Sequence, residues 1–232
     1  MTEISDYGVP FIFANFNGTS GDVDVITHEC GHAFQYYVSA KDPIKEHNRY
    51  LTMETAEIHS MSMEFFAEPW IELFFGEKGN DYRQMHLEDA IAFVPYGTMV
   101  DEFQHIIYDN PDLTPEERHG VWKSLEEKYQ PFIKYDEDHP FHALGGAWMK
   151  KDHIFTTPFY YIDYCLSQIC ALELWDESRT ELKVALEKYN TLCQLGGSDT
   201  FLNLIKKSGI ESPFDVDVIK RLAFKCADFL NL

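Results

Sequence analysis

Hydrophobic positions along this chain recur mainly at steps of three and four, the period of an α-helix, and the first twenty residues depart from it. Residues 7–19 are rich in aromatic and β-branched side chains and bounded by Gly8 and Gly18, which predicts a short strand. Residues 21–40 read as one amphipathic helix whose apolar stripe is Val23, Ile26, Cys30, Ala33 and Tyr37. Its N-cap region is residues 18–21, and Asp22 and Asp24 suit the positive end of the helix dipole. A second helix covers residues 53–66, and a long periodic stretch over 81–108 is interrupted at Pro95-Tyr96-Gly97. Thr114, Pro115 and Glu117 open a further helix with a capping box and proline in its first turn. Three more helices are predicted over residues 159–175, 178–195 and 214–230, with Gly196-Gly197 closing the middle one. The irregular stretch 135–152, with His139, His142 and Gly145-Gly146, reads as a surface connection. The pattern therefore predicts a mainly α fold with a small β element near the N-terminus.

Composition narrows the classes. At 232 residues and 45% hydrophobic, the chain can bury one sizeable core, so a single domain spanning 1–232 is expected. No run of 18 apolar residues exists to span a membrane, and the first residues lack the basic and apolar regions of a signal peptide. The five cysteines (Cys30, Cys165, Cys170, Cys193, Cys226) form no C-x-x-C pair and mostly lie in apolar helical surroundings. That usage fits free thiols in a reducing cytoplasm. A formal charge of −20 repels phosphates, which argues against nucleic acid as a partner. Excess acid most commonly serves solubility.

The chemistry enters at His28-Glu29-Cys30-Gly31-His32, a match to H-E-x-x-H. On a helix, residues four apart share a face one turn above each other. His28 and His32 can thus offer two imidazole nitrogens to one metal ion. Glu29 sits on the flank of that face, where its carboxylate can reach a water at the metal without being a ligand. Cys30 falls on the opposite face and reads as core.

A catalytic zinc takes three protein ligands and keeps one position open. Residues 53–66 supply a candidate, because Glu54, Glu57, Met61 and Glu64 share one helical face. Carboxylates along a largely apolar helix are costly unless a cation lies opposite. Glu57, the middle one, is the expected third ligand, with Glu54 and Glu64 flanking it to orient the histidines. His59 faces the other way.

These residues resemble the thimet oligopeptidase and oligoendopeptidase F family, whose pattern is H-E-x-G-H followed by E-x-x-S-x-x-x-E. Here the second motif is Glu57, Ser60 and Glu64, with 24 residues between His32 and Glu57. The resemblance implies a zincin-like helical catalytic domain with one zinc per chain, held by His28, His32 and Glu57, with Glu29 as general base. It extends to His153 and to Tyr160, Tyr161 and Tyr164. The family carries a histidine and a Tyr-x-x-Tyr pair here, so Tyr164 and Tyr161 are implied donors to the scissile carbonyl and His153 an aid to binding. Core filling stays open for the tyrosines, Tyr160 most of all. Short peptides are the implied substrates, with the strand over residues 7–19 bordering the cleft.

Family members are much longer, so the resemblance also implies a catalytic portion without the family's N-terminal half. Exposed apolar surface would then meet that region or a second copy. Two other readings stay open: a related metallocarboxypeptidase, which needs a cationic group for the substrate's terminal carboxylate that is not evident here, and a non-catalytic zinc- or peptide-binding module.

Overall fold

The computed structural model describes residues 2–4, 7–41, 51–135 and 138–232, the first three through their backbone. Strand β1 (Thr2–Ile4) pairs antiparallel with β2 (Val9–Phe11), Thr2 lying opposite Phe11. Helices follow: α1 (Gly21–Ser39), α2 (Met53–Phe66), α3 (Glu72–Phe75), α4 (Gly79–Asp109), α5 (Pro115–Tyr129), α6 (Pro140–Ala143), α7 (His153–Thr156), α8 (Tyr161–Leu195), α9 (Phe201–Ser208) and α10 (Val216–Leu230). The fold is mainly α, as the periodicity predicts. Among the described residues, no helix is long and apolar enough to cross a membrane.

The chain divides into two compact units, one of Met1–Asp89 with Leu166–Leu232 and one of Ala90–Cys165. In the first, Ile58 and Phe66 of α2 pack with Leu174, Tyr189 and Leu192 of α8 and with Phe201, Leu204 and Ile205 of α9. Each such side chain contributes roughly 1.5–3 kcal/mol by leaving water. This layer gives α2 a fixed back, and α1 lies on α2.

The packed stripe of α1 differs from the expected one. Gly31, Gln35, Tyr36 and Ser39 are buried, and His28 and His32 are half-buried beside them. Tyr37 and Cys30 are exposed instead. The histidine face is therefore the packed one, and Cys30 is not core. Apolar periodicity alone misassigns the stripe because the residues that pack are small or polar. At the start of α1, the Asp22 carboxylate accepts the backbone N–H groups of Asn17 (3.0 Å) and Gly18 (2.6 Å), tying the incoming loop to the first turn.

Two other boundaries change. Helix α8 runs through residues 176–178, where a break was expected, and its non-helical residue is Glu181 (φ −135°, ψ 59°). Helix α9 was not anticipated; it follows the Ser198-Asp199-Thr200 turn and ends at Gly209, whose φ of +78° only glycine adopts freely.

The second unit is built around Met99, Val100, Phe103, Trp122, Leu125, Trp148, Ile154 and Tyr161. Helix α4 passes through Pro95 without a break, and Thr98 Oγ1 donates to the Val94 carbonyl (2.8 Å). The capping box of α5 is present, with Thr114 N–H on Glu117 Oε2 (2.8 Å) and Glu117 N–H on Thr114 Oγ1 (3.3 Å). The stretch read as a surface connection is anchored. Gly145, at φ +83°, sits so close to α5 that a Cβ would lie 2.2 Å from the His119 carbonyl, and Trp148 is buried, its Nε1 donating to His119 Nδ1 (3.0 Å).

Candidate metal centre

Two helices make this site, and a glycine lets them meet. At Gly31 a Cβ would fall 2.3 Å from the His59 carbonyl oxygen and 2.7 Å from Ser60 Cα, so only glycine admits the backbone of α2 at this distance. The Tyr189 hydroxyl of α8 donates to the His59 carbonyl (3.0 Å) at the crossing and lies 3.5 Å from that of Gly31. Bringing the helix backbones together here places His28, three residues before the crossing, and His32, one residue after it, over Glu57.

The donor atoms converge. Glu57 Oε2 lies 3.3 Å from His28 Nε2 and 3.5 Å from His32 Nε2, and the three ligand atoms all lie within 4.8 Å of one another. Three ligands on a tetrahedral zinc at about 2.1 Å would be about 3.4 Å apart. Two imidazole nitrogens and one carboxylate oxygen are also the donor types of a catalytic zinc site. The set fits that ion.

The neighbours orient the donors. Ser60 Oγ donates to Glu57 Oε2 (2.7 Å). His28 Nδ1 sits 2.7 Å from Glu64 Oε1, which fixes its proton on Nδ1 when Nε2 faces a metal. Glu64 Oε2 in turn meets His86 Nε2 of α4 at 2.8 Å. The His86 ring is held by Phe65 (centroids 4.7 Å) and stacked on Tyr82 (5.7 Å), whose hydroxyl donates to Asp24 of α1. Glu54, expected beside Glu64, is tied to α8 through its backbone, its carbonyl accepting from Ser167 Oγ (2.7 Å). His59 turns away as expected, fully buried with Nδ1 3.5 Å from Cys193 Sγ, and burial lowers it to about 3.

Charge in this cluster is strongly biased. Burial alone would lower His28, but hydrogen bonds to Glu57 and Glu64 outweigh it and raise it to about 10. Burial would raise Glu57, but hydrogen bonds from His28 and His32 hold it well below the carboxylate range. Glu64 is likewise lowered against its burial by His28 and His86, and His86 is raised against its own by Glu64. The pocket of carboxylates asks for positive charge. Glu29 stands half-buried on α1 between the two histidines in sequence.

His153, Tyr161 and Tyr164 belong to the second unit, where they form one cluster. His153 lies 5.3 Å from Tyr161 and 6.1 Å from Tyr164, ring to ring, and the two tyrosines are 5.6 Å apart. Tyr160 joins at 4.8 Å from Tyr164. Tyr161 is buried in the core and raised to about 12 by that burial, whereas Tyr164 is half-buried against it. Gly31, Tyr189, His86 and the Asp24–Tyr82 pair were missed by sequence reasoning. Only Gly31 left a signal, as the glycine of the H-E-x-G-H motif.

Comparison with known proteins places the chain among peptidases. The chain is 26% identical over 237 residues to an oligoendopeptidase F homolog of Borreliella burgdorferi, covering 94% of this chain and 38% of that protein. It is 26% identical to oligopeptidase PepF of Bacillus subtilis, covering 88% of this chain and 31% of the relative. The chain thus spans about a third of the curated relatives' length. Among solved structures, PZ peptidase A with an inhibitor superposes with a TM-score of 0.93 at 48% identity, over 99% of this chain and 41% of that one. An oligoendopeptidase F from Bacillus anthracis str. Ames superposes with a TM-score of 0.85 at 46% identity, over 99% of this chain and 38% of its own. The profile of Peptidase family M3 matches residues 2–224, and the chain belongs to that family.

Proposed function

We propose that this chain is the catalytic portion of a zinc-dependent oligoendopeptidase, acting on internal bonds of short peptides in the cytoplasm. His28, His32 and Glu57 would hold one zinc ion per chain. The observation that carries this reading is the convergence of their three ligand atoms within 4.8 Å, two of them from the helix that also bears Glu29 and the third from α2. Bound there, zinc would supply Lewis acidity to the scissile carbonyl and acidify the attacking water. Glu29 is the general base: it accepts the proton of that water and delivers it to the leaving amine. Ser60 and Glu64 hold Glu57 and His28 in the orientation that presents Oε2 and Nε2. By the family resemblance, Tyr164 and Tyr161 donate to the developing oxyanion and His153 aids binding. Substrate length and the contribution of the remaining family architecture belong to the same proposal.

The test pairs two substitutions. Glu57→Ala should lose zinc, measured by elemental analysis after gel filtration. Glu29→Gln should keep zinc and lose turnover of an internally quenched peptide, with the cut position read by mass. An internal cut supports an endopeptidase and a cut at the last bond a carboxypeptidase. If Glu57→Ala retains zinc while Glu29→Gln sheds it, the roles assigned here are wrong.

A further inference from the structure

Behind the metal group lies a buried polar chain that continues past the expected orienting carboxylate. Glu64 accepts on both oxygens, Oε1 from the His28 side and Oε2 from His86 Nε2. A carboxylate held at one oxygen only can rotate about its last bond. Held at both, it has one plane, and that plane sets the direction in which His28 is anchored. His86 is itself fixed, with only 8% of its surface exposed, wedged between the Phe65 and Tyr82 rings. Tyr82 reaches back to Asp24 on α1, the helix that carries His28. The contacts therefore close a loop from α1 through α2 and α4 to α1 again. No apolar residue at position 86 could close it, since the contact to Glu64 is a hydrogen bond from a ring nitrogen.

We propose that His86 is a positioning residue of the metal centre: its Nε2–H locks the Glu64 carboxylate so that Oε1 fixes the tautomer and ring plane of His28. This inference rests on the assignment of His28 as a metal ligand. It differs from the role of Glu64 because His86 touches no ligand. Its effect passes entirely through one carboxylate oxygen. Removing such an outer partner commonly weakens metal binding by roughly 10–100-fold.

The experiment measures zinc affinity by competition with a chromophoric chelator, for the unaltered chain and for His86→Gln, His86→Asn and His86→Phe. Glutamine places an amide N–H near the position of Nε2, whereas asparagine is too short to reach Glu64. Asparagine and phenylalanine should weaken zinc binding by at least tenfold, and glutamine should restore most of the loss. The visible spectrum of the cobalt(II) form, which reports ligand geometry, should change in the Asn variant and return toward the unaltered form with Gln. Should His86→Phe fail to fold by circular dichroism, the Asn and Gln pair still decides. Equal zinc affinity and equal cobalt spectra for Asn, Gln and the unaltered chain overturn the inference. If instead the unaltered chain binds no zinc, or His28→Ala binds it as tightly, the metal-centre reading itself falls and this inference with it.

Discussion

Gly31→Ala tests whether the helix crossing, and not the motif residues alone, makes the metal centre. The added methyl would meet the His59 carbonyl oxygen at 2.3 Å, Ser60 Cα at 2.7 Å and His59 C at 2.8 Å, all of them backbone. Two effects oppose. Alanine in a helix interior gains about 1 kcal/mol over glycine. Overpacking a tight contact costs about 1–3 kcal/mol, and here no flexible side chain can yield. The clash wins unless α1 and α2 separate by about 1 Å, the distance that restores ordinary contact. Metal sites tolerate ligand displacements of only about 0.2 Å, so that separation is felt at Glu57, which faces His28 and His32 across the same crossing. We expect zinc affinity to fall about 10–100-fold, since each factor of ten is about 1.4 kcal/mol. The melting temperature should fall by about 2–8 °C, with and without zinc. Gly120→Ala is the control. Gly120 lies on the exposed side of α5 with nothing within 4 Å of its Cβ position, and that substitution should stabilise slightly. The assay is chelator competition with parallel thermal melts. Zinc affinity and melting temperature equal to the unaltered chain in Gly31→Ala would refute the argument that a close crossing sets the ligand geometry.

Two further expectations concern other residues. Tyr164→Phe removes one hydroxyl and almost no volume, so zinc content should hold while turnover of a quenched peptide falls about 10²–10³-fold; a loss under about threefold returns Tyr164 to the core. Burial raises Glu68 to about 7, only partly offset by His86 and Arg83. Its unfolded value is near 4.5, so the folded state holds the extra proton between the two. Stability contributed by this group is present below about pH 4.5 and is lost as pH rises through 7, by at most about 3 kcal/mol. Glu68→Gln should therefore shrink the fall in melting temperature between pH 5 and pH 8, and an unchanged fall would mean the carboxyl is solvated.

The site's donors were legible in the sequence because the motif residues are local in effect. Four residues on one helix fix His28 relative to His32, and the carboxylate spacing on α2 singles out Glu57. What escaped depends on contacts between elements distant in sequence. Glu54 and Glu64 occupy equivalent faces of α2, and only the tertiary structure shows that the Glu64 carboxylate meets His28. His86 stands on a separate helix with no spacing rule linking it to Glu64. The stripe of α1 was misread for a related reason: Gly31, Gln35 and Ser39 are buried by close backbone approach, which hydrophobicity does not report. Proline rules likewise placed an interruption at Pro95, where α4 continues, and the bend in α8 falls at Glu181 without a local breaker.

The charge pattern explains why this polar cluster is compatible with a buried helix pair. Glu57 and Glu64 lie inside the helix packing, where an isolated carboxylate would take up a proton. Both are instead held ionised by imidazoles, and His28, placed between them, is raised to about 10. A proton on His28 and a metal ion among His28, His32 and Glu57 answer the same demand for positive charge. They compete for one nitrogen, because His28 Nδ1 is committed to Glu64 and only Nε2 remains. Uptake of the proposed metal would then displace that proton. The same two carboxylates that raise the affinity for a cation set how strongly acid opposes it.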